Sequence, residues 1–350
     1  MLAHLYQIEA KYSATPLLGQ GFNFGMAGVD LFFLISGFIM VYITQGHMLL
    51  TEQTSDPKPM GNMTHRTGPK HVLRFLFSRI TRIYPLYWVI SAALLILYLI
   101  RPDMVFSQTK ATPNIAKSFL LWPDQTLPLL QLGWTLIHEM GFYLIFALLL
   151  FLSPKKRKFG LILWAGLVSL GLSLGWHNLG AVSDIIFHPL TYEFLLGAGI
   201  GYIYLTKPNF ISPFILLGFG VVLLGVAYLT WAHPMIDLFS NDWARVLRLS
   251  GPLGLIMISA LYFERGNHQA PAWLVTLGDW SYSLYLTHIL TLSVIGRIWA
   301  RFEQPGLWDN FIVLPLLLIA AIIGAGLTYK IIEAPMIRAT KNIQSNLFAP

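Results

Sequence analysis

Residues 311–332 read FIVLPLLLIAAIIGAGLTYKII, a 22-residue run in which Lys330 is the one formal charge. At about 1.5 Å per helical residue such a run spans a hydrocarbon core of about 30 Å. A soluble helix needs apolar residues on one face only, so an all-round apolar run of this length predicts a membrane span. Eight further apolar stretches follow the same rule at full or nearly full length: Ala27–Thr44, Tyr84–Ile100, Leu132–Leu152, Phe159–Gly175, Ile185–Leu205, Ile211–Trp231, Ser250–Phe263 and Leu274–Ile295. Ala116–Trp122 adds a shorter, half-buried candidate. The expected fold is an all-α membrane protein, a polytopic bundle of about nine to ten transmembrane helices in one domain over residues 1–350.

Composition agrees. Of the 350 residues 55% are apolar and only 11% charged, with a mean hydropathy of +0.62. Soluble domains carry about 25% charged residues, so this chain lacks the charges to cover a water-facing surface. The absence of cysteine excludes a disulfide framework, a zinc–thiolate site and a cysteine nucleophile. A net charge of +7 and a pI near 9.5 are read as a cytoplasmic charge bias, with no nucleic-acid partner.

The basic residues then set orientation. A basic cytoplasmic loop is expected over 46–83, with Thr51–Pro69 irregular, and residues 153–158 read Ser-Pro-Lys-Lys-Arg-Lys. Placing both inside puts fifteen of the 23 basic residues in the cytoplasm, including those of a short tail over 336–350, and leaves eight outside, Arg245 and Arg248 among them. Residues 1–26 then lie outside without a signal peptide. The simplest repair is a first helix mostly missing from the start of the sequence, of which Met1–Tyr6 is the remnant.

Ionisable groups at membrane depth cost about 2.5–3.5 kcal/mol each on insertion scales, which makes them functional candidates. Asp30 opens Gly28-Val29-Asp30-Leu31-Phe32-Phe33-Leu34-Ile35-Ser36-Gly37-Phe38, where a helix dipole also favours a first-turn carboxylate. Gly37 on the same face permits close helix packing, and Glu193, Gly197 and Gly201 share a face that reads mainly as packing. Arg79-Ile80-Thr81-Arg82-Ile83-Tyr84-Pro85 spaces two Arg one turn apart at the cytoplasmic mouth, which suits a phosphorylated ligand as well as simple anchoring. Trp134-Thr135-Leu136-Ile137-His138-Glu139-Met140-Gly141-Phe142-Tyr143 is the most polar helix interior. Phe142 rules out the His-Glu-x-x-His zinc pattern, and no metal-ligand cluster is evident. Ser281, Tyr285 and His288 recur within about 60° of arc on one helix, as a polar stripe facing a partner helix or a wet cavity. On these grounds a transporter and an intramembrane enzyme stand level.

Taken in order, Gly28–Phe38, Arg79–Pro85, Trp134–Tyr143, Ser281–His288 and Glu333-Ala334-Pro335 resemble the acyltransferase 3 family along essentially the whole chain. These are multi-pass O-acyltransferases that decorate exopolysaccharides and O-antigens. The resemblance implies transfer of an acyl group, acetyl first, from cytoplasmic acyl-CoA as co-substrate to a hydroxyl of a carbohydrate or lipid-linked saccharide, in a bacterial-type inner membrane. No bound cofactor or metal is implied. It further implies His4 as a catalytic base, matched by its distance from the Gly-Val-Asp segment, with Glu139 orienting that imidazole. Arg79 and Arg82 would bind the acyl donor, while Asp30, Ser281, Tyr282, Tyr285 and His288 line or support the cavity. The family also places an Arg ahead of the catalytic His, with ten residues between them. Only three residues precede His4, so the functional frame is expected to begin roughly 15–25 residues upstream. The competing reading is a permease for a polar or anionic solute using the same Arg pair.

Overall fold

In the computed structural model the described residues are 1–44, 68–105, 112–207, 209–230, 242–266, 268–303 and 308–348. They form helices α1 (Leu2–Tyr12), α2 (Ala27–Thr44), α3 (Pro69–Ile100), α4 (Pro102–Val105), α5 (Ile115–Leu120), α6 (Gly133–Leu149), α7 (Pro154–Ser173) and α8 (Ala181–Ile186). There follow α9 (Thr191–Thr206), α10 (Pro213–Leu229), α11 (Asp242–Arg265), α12 (Ala272–Asp279), α13 (Ser281–Trp299), α14 (Trp308–Thr328) and α15 (Ala334–Leu347). No strand occurs among the described residues. The all-α membrane fold expected from hydropathy is borne out, and each of the nine apolar stretches is largely helical in its described residues, with Ile185–Leu205 broken between α8 and α9. Residues 20–44, α3, α11 and residues 308–347 each contain a window long and apolar enough to cross a bilayer, with α6 and α10 as shorter apolar helices.

The departures have local causes. Proline is favoured in the first helical turn, where its missing N–H costs nothing. Pro69, Pro154 and Pro213 each start a helix in this way. The helix expected to begin at Tyr84 therefore begins at Pro69, and residues 69–83 of the expected basic loop are helical. The rest of that loop, including most of Thr51–Pro69, lies outside the described residues. The expected tail 336–350 is mostly helical too, within α15. The single stretch Leu274–Ile295 is broken at Trp280 into α12 and α13. At the N-terminus, helix α1 continues to Tyr12, beyond the Met1–Tyr6 remnant. Its Glu9 is fully buried and accepts the N–H groups of Leu17 and Leu18, both at 2.8 Å, so a charge that argues against a span instead ties down the following turn.

The tightest crossing joins α2 to α9. A Cβ on Gly37 would collide with the carbonyl of Phe194, and one on Gly197 with the carbonyl of Leu34. Small residues substitute backbone contact for side-chain packing where lipid offers no hydrophobic drive. Phe142 and Phe194 stack with centroids 4.1 Å apart, and Phe33 lies 4.6 Å from Phe194, filling the core beside the crossing. The outward faces of α7 and α10 present Ile162, Leu163, Leu167, Phe214, Phe219 and Val222 to the surroundings, as a lipid contact requires.

Charge counting gives a first testable expectation. Lys156 is exposed on the first turn of α7. The chain has no cysteine of its own. A Lys156→Cys variant should therefore resist a membrane-impermeant thiol reagent on intact spheroplasts and react after permeabilisation. Labelling without permeabilisation would overturn the orientation.

Candidate active site

α1 lies in a groove between α13 and α14. Its Leu5 and Ile8 are buried against Leu292, Leu314 and Leu317. Gly296 leaves room for Ile8 and Tyr12, which a Cβ there would meet at 2.9 and 2.7 Å. Beyond α1, Ser13 donates to the side chain of Asn310 at 3.1 Å, and Asn310 donates to the Thr15 carbonyl at 2.6 Å. This packing carries His4 into the bundle opposite His288, with His4 Nδ1 2.9 Å from His288 Nε2 and ring centroids 5.0 Å apart. His4 is thus held at depth by the helical residues that follow it. His288 is 3% exposed, and its Nδ1 lies 2.9 Å from the carbonyl oxygens of both Leu284 and Tyr285.

The polar stripe on α13 runs from the end of the bundle that carries Arg79 and Arg82 to this pair. Ser281 lines a cavity of about 640 Å³ together with Arg79, Arg82, Asp279 and Lys341. Tyr282 donates to the Ile83 carbonyl at 2.7 Å. The Tyr285 hydroxyl is 2.5 Å from that of Thr135 and 2.8 Å from the Leu132 carbonyl. Seven residues separate Ser281 from His288, a rise of about 10 Å.

At the mouth the two Arg differ. Arg82 Nη1 meets Glu333 Oε1 at 2.6 Å, and its guanidinium lies over the Tyr282 ring, 5.5 Å from the centroid. Glu333 is 2% exposed and also accepts Ser283 Oγ at 2.5 Å. It ends a π-helical turn, Tyr329–Glu333, between α14 and α15. Such a turn adds a residue to the helical repeat and re-aims the side chains after it, and it is common at functional sites. Arg79 donates to Ser78 Oγ at 3.0 Å, and its buried Nε has no protein partner among the described residues. The cavity is thus lined by one guanidinium anchored on a carboxylate and one held by a serine hydroxyl.

The expected His4–Glu139 pairing is not formed. Glu139 accepts Ser36 Oγ at 3.0 Å and the Tyr143 hydroxyl, which places it on the α2–α6 contact. The imidazole partner of His4 is His288 instead. Asp30 is fully buried and bound through both oxygens by Arg245, at 2.7 and 3.0 Å. Arg245, assigned to an outer loop by charge counting, is 2% exposed and packs over Trp134. Glu193, also fully buried, accepts Ser250 Oγ at 3.2 Å nearby. His138 contacts His188, their rings 4.4 Å apart, and His188 reaches Asp242 at 3.3 Å.

Sequence reasoning missed Arg245, Glu333 as the partner of Arg82, and Ser36, Tyr143 and Ser283. One signal was present for Arg245: a carboxylate at depth in Asp30 demands a cation, and Arg245 lies just ahead of an apolar stretch. Among the described residues no group of three or more His, Asp or Glu could hold a metal ion.

Comparison with known proteins places this architecture. An acyltransferase-domain family model, acyltransferase 3, matches residues 2–330. Exopolysaccharide production protein ExoZ of Rhizobium meliloti (strain 1021) is 28% identical over 348 residues, covering 93% of this chain and 94% of that protein. A Staphylococcus aureus (strain COL) protein named "Putative O-acetyltransferase" is 26% identical over 344 residues and 89% of this chain, which spans about half, 52%, of its length. No solved structure matches. A family match along nearly the whole chain displaces the permease reading. The chain belongs to the acyltransferase 3 family, as a multi-pass membrane acyltransferase that moves groups other than amino-acyl groups.

Proposed function

We propose that the protein transfers an acyl group, acetyl in the first instance, from cytoplasmic acyl-CoA to a carbohydrate hydroxyl, in a bacterial-type inner membrane. The carrying observation is the α13 stripe, which starts at the Arg-lined cavity and ends at the His4–His288 pair. A donor with a phosphorylated head and a slender thioester arm fits that layout. Guanidinium groups at the mouth match phosphate, and a rise of about 10 Å to the pair lies within reach of an extended arm. The name of the Rhizobium relative, an exopolysaccharide production protein, supports a saccharide acceptor.

The chemistry then follows from the side chains. His4 Nε2 accepts the proton of the acceptor hydroxyl, whose oxygen attacks the thioester carbonyl carbon. The carbon–sulfur bond breaks, the ester forms, and the imidazolium returns the proton to the departing thiolate. An imidazole nitrogen can both accept a proton and give it back, which suits both halves of that exchange. Glu139, held by Ser36 and Tyr143, acts by tying α2 to α6 rather than by orienting the base.

The test is purified protein in lipid with labelled acetyl-CoA and a saccharide-containing membrane fraction. Release of free coenzyme coupled to label on the saccharide supports transfer; label that crosses the bilayer with its thioester intact sinks it. Arg82→Lys refines the reading. Lysine keeps the charge and the contact with Glu333 but loses the planar fork. The Michaelis constant for acetyl-CoA should rise by about 5- to 150-fold, worth about 1–3 kcal/mol, at normal protein levels. An unchanged constant would return Arg82 to a purely structural tie with Glu333.

A further inference from the structure

We propose that His288 is a positioning residue that fixes His4 in its Nδ1–H tautomer and so keeps the Nε2 lone pair as the base. This rests on the reading of His4 as the base and names what makes it one.

The argument needs only donors and acceptors. A carbonyl oxygen can accept a hydrogen bond but never donate one. His288 Nδ1 lies 2.9 Å from two carbonyl oxygens, those of Leu284 and Tyr285, so Nδ1 carries the hydrogen. In a neutral imidazole the other nitrogen is then bare, and His288 Nε2 is an acceptor. Its partner at 2.9 Å is His4 Nδ1, which must therefore be the donor. A neutral His4 with hydrogen on Nδ1 has its lone pair on Nε2. Reversing the order would point two lone pairs at each other at one end of the chain or the other. The neutral pair has one satisfied arrangement.

The anchor is unusual in kind. In the Ser-His-Asp arrangement a buried carboxylate selects the tautomer and stabilises the imidazolium. Here the selecting atoms are backbone carbonyls on the same helix as His288, and a carbonyl neither titrates nor brings a net charge into the bilayer. That avoids the several kcal/mol that an extra desolvated ion costs. It also explains why Glu139 need not approach His4. During transfer the proton moves from the acceptor oxygen to His4 Nε2 and on to the leaving sulfur. Throughout, His4 Nδ1–H donates to His288 Nε2, so His288 ends each cycle as it began and exchanges no atom with substrate.

Two substitutions separate this role from simple packing. Glutamine at 288 puts an amide oxygen, an acceptor that cannot titrate, near the place of Nε2; leucine fills similar space with no acceptor. An enzyme imidazole in the wrong tautomer loses about 10⁴ in turnover. His288→Leu should therefore lower kcat by about 10²-fold or more, with the Michaelis constant for acetyl-CoA within twofold of wild type. His288→Gln should stay within about tenfold of wild type. A direct reading on the unaltered protein uses ¹⁵N-labelled histidine in NMR spectra, with signals assigned by their loss in His4→Gln and His288→Gln. The expected result is His4 protonated at Nδ1 and bare at Nε2 at neutral pH. A His4 signal protonated at Nε2 would overturn the proposal, even if His288→Leu failed to insert. So would a His288→Leu protein with near-normal kcat, or a folded His288→Gln protein as slow as His288→Leu. Full activity in His4→Gln would instead remove the base reading itself.

Discussion

His4→Ala is expected to lower acyl transfer by about 10²-fold or more, the low end for removal of a general base, while the protein still inserts and binds its donor. Insertion should survive because α1 is held by Leu5 and Ile8 against α13 and α14, by the buried Glu9 and by the Asn310 contacts, none of which involves the imidazole. Donor binding should survive because Arg79 and Arg82 lie at the far end of the α13 stripe, about 10 Å of helix away. The diagnostic is therefore a fall in kcat with a steady Michaelis constant for acetyl-CoA. An active His4→Ala protein would reject the mechanism outright. A variant that loses binding as well would show that α1 has left its groove.

The second large effect lies in stability. Arg245→Leu strands Asp30, a carboxylate with no exposure, beside a second buried carboxylate, Glu193. Breaking a buried ion pair from one side costs about 3–5 kcal/mol, because the remaining charge has lost both water and partner. Unfolding of the variant in mixed micelles should show that loss. The double variant Asp30→Asn/Arg245→Leu should recover much of it, since the charge that Arg245 compensated at Asp30 is then gone as well. Equal losses in the single and the double variant would mean that Arg245 acts through its packing on Trp134.

The sequence made the architecture legible wherever the signal runs along the chain. Ala27–Thr44 was placed with its boundaries, and the faces carrying Gly37 and Gly197 were identified as packing surfaces, because both follow from helical periodicity. What escaped are contacts between residues far apart in sequence. Asp30 and Arg245 are 215 positions apart, and Arg82 and Glu333 are 251 apart. Periodicity says which way a residue faces and nothing about what waits there. His4 and His288 were each singled out, yet their contact was not, since they are 284 positions apart. The helix α1 was cut short at Tyr6 because Glu9 and Lys11 lower its hydropathy, whereas the fold buries Glu9 under two backbone N–H groups. Hydropathy scores a side chain by its formal charge; the structure scores it by its partners.

The glycine crossing between α2 and α9 has a mechanical consequence. Two rods whose surfaces are cushioned by side chains can slide, since rotamers yield; two rods in backbone contact cannot, because a carbonyl cannot step aside. Gly37 and Gly197 therefore weld α2 to α9 as one strut, and Asp30, Ser36 and Glu193 travel with it. Any displacement that admits the proposed saccharide acceptor then falls elsewhere in the bundle. The contact made through side chains is the one where α1 rests on α13 and α14, and that helix carries His4, the proposed base.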